Sequence, residues 1–362
     1  MARIRVLIVD DAVVVRRLVS DVLGGDPELE VVGVAANGRI ALQKIPQVNP
    51  DVITMDVEMP DMNGIEAVKA LRVDYPRLPV IMFSTLTERG AAATLDALQA
   101  GASDYVTKPA NVGSVALAQQ RVREDLIPKI KSLARQGEVL PPASPRVART
   151  PVAAAAPPLR RVTATGAPAV LAIGVSTGGP NALAELIPAL PATFAVPVVV
   201  VQHMPPMFTR LLAERLHAQS ALVVREASDG LALAPGTVTI APGDYHMVVA
   251  REGHRAIVRL TQDPPENSCR PAVDPLFRSV VAAYGSRVLA VVLTGMGQDG
   301  LRGAELVHEA GGRVLVQDEA TSVVWGMPGF VARAGLADRV LPLPELAAEI
   351  VRRVSGVSSL PP

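Results

Sequence analysis

The pattern of the chain predicts an α/β protein made of two doubly wound units in tandem, and three observations carry that expectation. Short apolar runs alternate with helix-period segments along most of the sequence, as in parallel sheets fed by crossover helices. Several runs, among them Ile4–Val9, Val196–Val201 and Val288–Leu293, are apolar throughout instead of alternating, as strands covered on both faces must be. Between the two regions of alternation lies Gly137 to Pro168, rich in Pro and Ala and without an aromatic residue. A chain of 362 residues also exceeds one ordinary core.

Composition narrows the classes. Aromatic residues make up 3% of the chain, so Val, Ala and Leu must do most of the packing. Thirty-five basic residues balance 35 acidic ones, which argues against a nucleic-acid partner and against acidic disorder. The single cysteine, Cys269, excludes an intrachain disulfide framework and suits a reducing compartment. No apolar stretch reaches spanning length, and the run from Ile4 stops at Asp10-Asp11, unlike a signal-peptide core. A cytoplasmic protein without membrane insertion is expected.

The first unit is expected over residues 1–125. Strands are read at Ile4–Val9, Val31–Ala35, Asp51–Met55, Val80–Phe83 and Asp104–Val106, with helices at Ala12–Leu23, Gly38–Ile45, Gly64–Arg72 and Ala91–Ala100. Five strands in that order describe a flavodoxin-like five-stranded parallel sheet, whose ligands bind at the carboxyl ends of the strands. Acidic residues fall at those ends: Asp10 and Asp11 after the first strand and Asp56 after the third, with Lys108 after the fifth. Three carboxylates converging on one edge repel each other unless a hard cation joins them, and Mg²⁺ takes oxygen ligands while keeping waters for a phosphate to replace. Ser84 ends the fourth strand and Tyr105 lies in the fifth. Singly, each aspartate reads equally as a helix cap.

Val-Asp10-Asp11, Met-Asp56-x-Glu-Met-Pro60, Ser84-Thr85 and Val-Thr-Lys108-Pro109 together resemble the receiver domain of two-component response regulators. The resemblance implies that Asp56 accepts phosphate from a histidine kinase and that Asp10, Asp11, Asp56 and the Glu58 carbonyl hold Mg²⁺. It also implies that Lys108 pairs with the phosphoryl group, Ser84 is the switch hydroxyl and Tyr105 is the aromatic that follows it.

From about Leu126 the periodic pattern dissolves, and residues 126–168 are expected to be a semi-extended tether. Its Pro/Ala-rich stretch cannot bury enough apolar surface to offset the entropy of ordering it. Arg146, Arg149, Arg160 and Arg161 could make it an arm for nucleic acid or an acidic partner, but a solvated linker is the simpler expectation.

Alternation resumes over residues 169–362. Strands are read at Val170–Ile173, Val196–Val201, Val288–Leu293 and Arg313–Gln317, with helices at Asn181–Leu190, Phe208–His217, Pro275–Tyr284, Ala304–Ala310 and Glu345–Val354. Val223–Glu226, Val238–Ile240, His246–Ala250 and Ala256–Leu260, separated by Gly and Pro, are expected to form a small β-meander beside the main sheet. The unit is organised around Val170-Leu-Ala-Ile-Gly-Val-Ser176-Thr-Gly-Gly-Pro180, a strand breaking sharply into a helix. Such a turn holds its side chain out from the sheet and aims free backbone N–H groups at whatever binds there. Gly174-x-Ser176-x-Gly178 fits a nucleophile elbow, a glycine-rich phosphate loop, or a plain strand–helix turn.

The partners weigh for the first of these. Strands end at Ser176, at Gln-His203 and at Thr294-Gly-Met-Gly-Gln-Asp299-Gly, and parallel strand ends lie along one edge. A serine, a histidine and an aspartate meeting there are what acyl transfer needs: a nucleophile, a base that returns its proton to the leaving group, and an acid that fixes the ring tautomer. His203 could instead be a satisfied interior histidine and Asp299 a helix cap. His246, near a strand start, is the rival base, and no Cys/His cluster suggests zinc.

Beyond this, Ile-Gly-Val-Ser176-Thr-Gly-Gly-Pro, Gln-His203-Met-Pro, Asp229-Gly-x-x-Leu-x-Pro-Gly, Ile-Ala-Pro-Gly-Asp244, Arg270-Pro-x-Val-Asp274, Leu-Thr-Gly-Met296-Gly-x-Asp299-Gly, Gln-Asp318-Glu-Ala and Trp325-Gly-Met-Pro328 resemble the chemotaxis protein-glutamate methylesterase (CheB) family. With the receiver in front, the resemblance covers nearly the whole chain outside the linker. It implies a phosphorylation-activated esterase that hydrolyses glutamate γ-methyl esters on chemoreceptors, releasing methanol, and that also deamidates receptor glutamines, with no cofactor for the hydrolysis. It assigns Ser176 as nucleophile, His203 as general base and acid, and Asp299 as the orienting acid. Thr177 and the Met296 N–H stand where oxyanion stabilisers are needed. Cys269 departs from the more basic residue expected before Arg270, and the chain ends in a short Ser/Pro tail.

Two rivals from other classes remain. A response regulator with a DNA-binding second domain would show a basic recognition helix, and none is visible. A nucleotide-binding enzyme would need the P-loop lysine or full G-x-G-x-x-G spacing that the Ser176 turn lacks.

Overall fold

The computed structural model describes residues 2–108, 115–134 and 166–356. Residues 135–165, which hold most of the Pro/Ala-rich stretch and its four arginines, and residues 357–362 of the Ser/Pro tail lie outside the described residues.

The first unit runs β1 (Ile4–Val9), α1 (Val13–Gly24), β2 (Leu29–Ala35), α2 (Gly38–Val48), β3 (Val52–Asp56), α3 (Gly64–Asp74), β4 (Val80–Ser84), α4 (Glu88–Gln99), β5 (Asp104–Thr107) and α5 (Val115–Ala134). The strands form one parallel sheet in the order β2-β1-β3-β4-β5. Every residue of β3 and β4 is buried, which is why these runs carry no polar alternation. Local signals set the helix starts. Asn63 and Glu66 close a reciprocal capping box on α3, and the Asn37 and Thr87 side chains accept from Ile40 N and Gly90 N. Helix α5 continues past Leu126, where the sequence pattern was expected to dissolve, and ends at Ala134. Leu126, Ile130 and Leu133 repeat at helical spacing and are all buried against this core, while Pro128 within the helix breaks the sequence signal.

The second unit runs β6 (Val170–Val175), α6 (Gly179–Leu186), β7 (Val198–Gln202), α7 (Phe208–Gln219), β8 (Val223–Glu226), β9 (Thr237–Ile240), β10 (His246–Glu252), β11 (Arg255–Thr261), α8 (Val273–Tyr284), β12 (Val288–Val292), α9 (Leu301–Glu309), β13 (Arg313–Gln317), α10 (Met327–Arg333), β14 (Arg339–Leu341) and α11 (Leu343–Val354). Seven of its strands make one parallel sheet, β14-β13-β12-β6-β7-β9-β8. The expected four-piece meander is corrected here. β8 and β9 join the main sheet in parallel register, and only β10 and β11 pair as an antiparallel hairpin. Val238, Thr239 and Ile240 are fully buried, so β9 is an interior strand with both faces covered.

The sheet starts at β6 and grows both ways, to β7 on one side and to β12 on the other. Strand order therefore reverses between β6 and β12, opening a crevice at their carboxyl ends. In the first unit the same reversal falls between β1 and β3.

The two units pack together through α4, β5 and α5 of the first. Helix α4 lies against α6 and α7. Arg215 meets Asp96 at 2.5 Å, Arg210 meets Glu88 at 2.7 Å, and Asn181 Nδ2 donates to the Leu98 carbonyl at 2.9 Å. The Tyr105 ring stacks on Phe208 with centroids 4.8 Å apart and planes 7° from parallel. Val324, with Met296 and Val323 beside it, closes onto the apolar cluster that holds Val106, Val122 and Ile127.

Candidate active site and phosphoacceptor site

At the edge of the first sheet, Asp10 and Asp56 are buried and Asp11 is exposed beside them. One carboxylate oxygen from each lies within 4.8 Å of the others. Lys108 Nζ bridges Asp56 Oδ2 at 2.7 Å and Asp10 Oδ2 at 2.9 Å. Burial pushes the Asp56 carboxyl above its ordinary range, against the pull of the Lys108 ammonium, and the neighbouring Asp10 charge adds to the rise. Asp10 Oδ2 is buried and, apart from that ion pair, has no aligned hydrogen bond, so it presents a hard oxygen toward the cluster. Three convergent oxygen donors with one exposed member fit Mg²⁺, which binds through few carboxylates and keeps waters.

The Glu58 side chain turns outward to Arg89 at 3.2 Å, away from the carboxylate cluster, and the resemblance to receivers implies a metal role for its backbone carbonyl alone. Ser84 is buried and faces α4. Its hydroxyl accepts from Thr94 Oγ1 at 2.5 Å and donates to the Gly90 carbonyl at 3.2 Å. Tyr105 is also buried, with Lys129 Nζ 5.3 Å from its ring centre.

In the second unit, the chain leaves β6 at Val175 and turns at Ser176. Ser176 N donates to the Thr294 carbonyl at 3.0 Å, and Gln202 Nε2 donates to the Ser176 carbonyl at 3.0 Å. Both bonds fasten the turn to the neighbouring strand ends. A Cβ at Gly179 would press on Gln202 Oε1 and Val175 Cγ2, so both side chains would have to shift. Gly178 caps α6 at φ +78°, which a β-carbon would resist.

His203 follows β7 and Asp299 follows β12, and the structure brings them together. His203 Nε2 lies 2.8 Å from Asp299 Oδ2, and Val273 N donates to the same oxygen at 2.6 Å. Asp299 Oδ1 accepts from Gly300 N at 2.9 Å, Asp274 N at 3.1 Å and Asn267 Nδ2 at 2.9 Å. Burial disfavours charge on both partners, but the contact outweighs it. The imidazole is held above its ordinary range, with the Cys269 sulfur contributing, and the Asp299 carboxyl is held below its own.

Nε2 is thus engaged by Asp299, and Nδ1 shares a hydrogen bond with Cys269 Sγ at 3.4 Å. Ser176 is half-buried and, among the described residues, its hydroxyl makes no hydrogen bond. Its Cβ packs close to Gly295, where a β-carbon would approach to 2.8 Å. Base–nucleophile contacts are commonly loose until substrate is bound.

The rival histidine is accounted for elsewhere. His246 is buried, with Nδ1 accepting from Ala272 N at 3.2 Å and Nε2 on the Pro264 carbonyl at 3.2 Å. One nitrogen holds the residue that caps α8 and the other the loop after β11. Met296 is half-buried, and among the described residues its N–H makes no hydrogen bond. Thr177 is buried, and its hydroxyl donates to Asp104 Oδ2 of the first unit at 2.9 Å. That contact joins a residue at the serine turn to the strand that carries Tyr105.

Sequence reasoning missed Asn267 and Phe208. Asn267 carries no motif of its own, though it stands three residues before the Arg270-Pro motif. Phe208 looks like any helix-start aromatic until Tyr105 is set against it.

The CheB methylesterase family model matches residues 171–350, and the response regulator receiver domain model matches residues 6–118. A protein-glutamate methylesterase/protein-glutamine glutaminase of Nocardioides sp. is 60% identical over 360 residues, covering 98% of this chain and 96% of that protein. Its counterpart in Trichodesmium erythraeum is 53% identical over 358 residues, covering 98% of this chain and all of that protein. Among solved structures, the Thermotoga maritima CheB methylesterase catalytic domain is 44% identical with a TM-score of 0.51, covering 52% of this chain and 99% of that one. Near-complete coverage at these identities, together with a receiver sheet and a seven-stranded catalytic sheet, means that the chain belongs to the CheB protein-glutamate methylesterase family.

Proposed function

We propose that the chain is a phosphorylation-activated serine esterase that hydrolyses glutamate γ-methyl esters on the cytoplasmic helices of chemoreceptors and deamidates receptor glutamines. The observation that carries the chemistry is the His203–Asp299 pair at 2.8 Å, set at the strand-order reversal beside the Ser176 turn. Ser176 Oγ attacks the ester carbonyl while His203 Nδ1 takes its proton. The negative oxygen that forms is met by the Met296 N–H and by Thr177. His203 then returns the proton to the departing methoxide, releasing methanol, and a water repeats the sequence on the acyl-enzyme to restore the serine and leave a carboxylate. On a glutamine the leaving group is ammonia. Asp299 keeps the ring oriented and stabilises its charged form.

In the receiver, Asp56 accepts a phosphoryl group from the chemotaxis histidine kinase. Asp10, Asp11, Asp56 and the Glu58 carbonyl hold Mg²⁺, which when bound neutralises the charge gathering on the phosphoryl oxygens. Lys108 is already poised on Asp56 to pair with it. The receiver restrains the esterase by covering it, since Asp104 occupies the Thr177 hydroxyl and Val324 and Met296 are packed against its core. When Ser84 leaves α4 for the phosphoryl group, Tyr105 loses its stacked position on Phe208 and the domains part. A few kcal/mol of differential stability suffices for such a population shift.

The decisive experiment is incubation with methylated receptor membranes, with and without a small-molecule phosphodonor, measuring methanol. Release should rise with the donor and vanish in Ser176→Ala. Undiminished release from that variant would end the serine mechanism.

A further inference from the structure

Asp299 and Asp274 cap each other's helices. Asp299 stands just ahead of α9, yet it takes the Val273 and Asp274 N–H groups that open α8, at 2.6 and 3.1 Å. Asp274 lies in the first turn of α8, yet it takes the Gly303 N–H in the first turn of α9 at 2.7 Å. Each carboxylate is 2% exposed. Two helix amino ends therefore point at two neighbouring buried acids, and each end favours negative charge.

Between these acids lies one amide. Asn267 Nδ2 donates to Asp299 Oδ1 at 2.9 Å and to Asp274 Oδ2 at 3.0 Å. Asn267 sits at φ +51° in a turn closed by reciprocal backbone bonds between Glu266 and Cys269, and Glu266 is pinned by Arg278 at 2.7 Å. Its position is fixed from both sides.

We propose that Asn267 and Asp274 are positioning residues of the esterase centre. Asp274 orients the Asn267 amide, and the amide fixes the Asp299 carboxylate so that its other oxygen stays on His203 Nε2. Asp274 also places a second negative charge behind the pair, where it favours the imidazolium that forms as Ser176 gives up its proton. Neither residue touches substrate. Both act through Asp299. The proposal rests on His203 and Asp299 being base and orienting acid. Around the cluster, the other titratable and charged groups are Cys269 beside His203, and Glu266 and Arg278 beside Asp274.

The test uses the full chain, activated by a small-molecule phosphodonor, with methanol release from methylated receptor membranes followed across about pH 5.5 to 9. Asn267→Gly removes the amide while glycine accepts the positive φ without strain. It should lower kcat by about 10-fold or more with KM within about twofold of wild type. Asp274→Asn should also lower kcat. In addition it should move the acid limb of the profile to lower pH, because losing a negative charge lowers the pKa of the base. Wild-type kcat in both variants would overturn the proposal. So would a loss of rate that merely follows a reduced folded fraction in thermal melts, with KM and the acid limb unmoved. Should Asp274→Asn fail to fold, the kcat and KM of Asn267→Gly decide alone. Ser176→Ala run alongside separates the two ideas. Full release from it would remove the serine mechanism and this proposal together, whereas a dead Ser176→Ala beside a wild-type-like Asn267→Gly would remove the proposal alone.

Discussion

The Thr177 hydroxyl donates to the Asp104 carboxylate at 2.9 Å across the boundary between the two domains, and both side chains are buried. Asp104 is held in turn by Lys129 at 2.8 Å, so the acceptor is charged and fixed. The Thr177 hydroxyl is thus already satisfied by a carboxylate of the first domain.

Breaking that contact should release restraint without phosphate. Hydrogen bonds to charged groups contribute about 1.5–3 kcal/mol. Asp104→Ala should therefore raise methanol release by the unphosphorylated chain about 10-fold or more. An unchanged basal rate would show that the contact forms without restraining anything.

The α4–α7 ion pairs should add a smaller, salt-sensitive part. Arg215 and Asp96 are partly exposed, and such pairs typically contribute roughly 0.2–1 kcal/mol. Arg215→Asp should raise the basal rate a few-fold, and adding Asp96→Arg should bring it back down. The basal rate of the natural chain should climb with ionic strength as these pairs and Arg210–Glu88 are screened.

Control by phosphate should be separable from chemistry. Asp56→Asn should leave the basal rate in place and abolish stimulation by a phosphodonor. Chelating divalent cations should do the same to the natural chain, because three carboxylates and Lys108 are left without the ion that lets a phosphoryl group approach. Stimulation that survives chelation would remove Mg²⁺ from the receiver chemistry.

The pH profile follows from the raised pKa of His203. A base must be neutral to accept a proton, so the rate should rise with pH through that pKa. Because Asp299 holds the imidazolium, the acid limb should lie above the ordinary histidine value of about 6.5. Asp299→Asn should shift the limb down and cut kcat by roughly 10⁴-fold, as loss of the orienting acid does in serine proteases.

Stability has its own acid dependence at the end of the chain. Glu349 on α11 takes Arg352 through two bonds of 2.8 Å and Arg353 at 2.7 Å. Mainly through Arg352, against the opposing effect of burial and with help from Arg353, its carboxyl is held down at about 2. A lowered pKa means stability that is present above the unfolded value of about 4.3 and is lost as pH falls toward 2. Glu349→Gln should cost about 1–3 kcal/mol at neutral pH, allowing for solvent at Arg352. It should also flatten the decline of melting temperature between about pH 4.5 and 2.

Much of this architecture is legible in the sequence because buried parallel strands are written as unbroken apolar runs, and their ends are marked by the first polar residue. Ser176 follows the β6 run, Gln202-His203 closes β7, and Asp56 ends β3, where Thr54 alone interrupts the apolar run. What escapes is any position whose meaning depends on a distant neighbour. β9 looks like one more piece of a meander until β7 is beside it. The helix after Leu126 is masked by Pro128. Asn267 is one asparagine in a polar loop, and only the fold shows that Asp274, in the first turn of α8, and Asp299, just ahead of α9, both reach it. Thr177 is recognisable as a residue near the serine, but nothing in its own surroundings points to Asp104.

Asp104 and Tyr105 are consecutive on one four-residue strand, so their side chains leave opposite faces of the sheet. The acid that holds Thr177 and the aromatic that stacks on Phe208 are therefore carried by a single rigid segment. Transplanting this interface to another catalytic partner would require moving β5 intact, acid before aromatic.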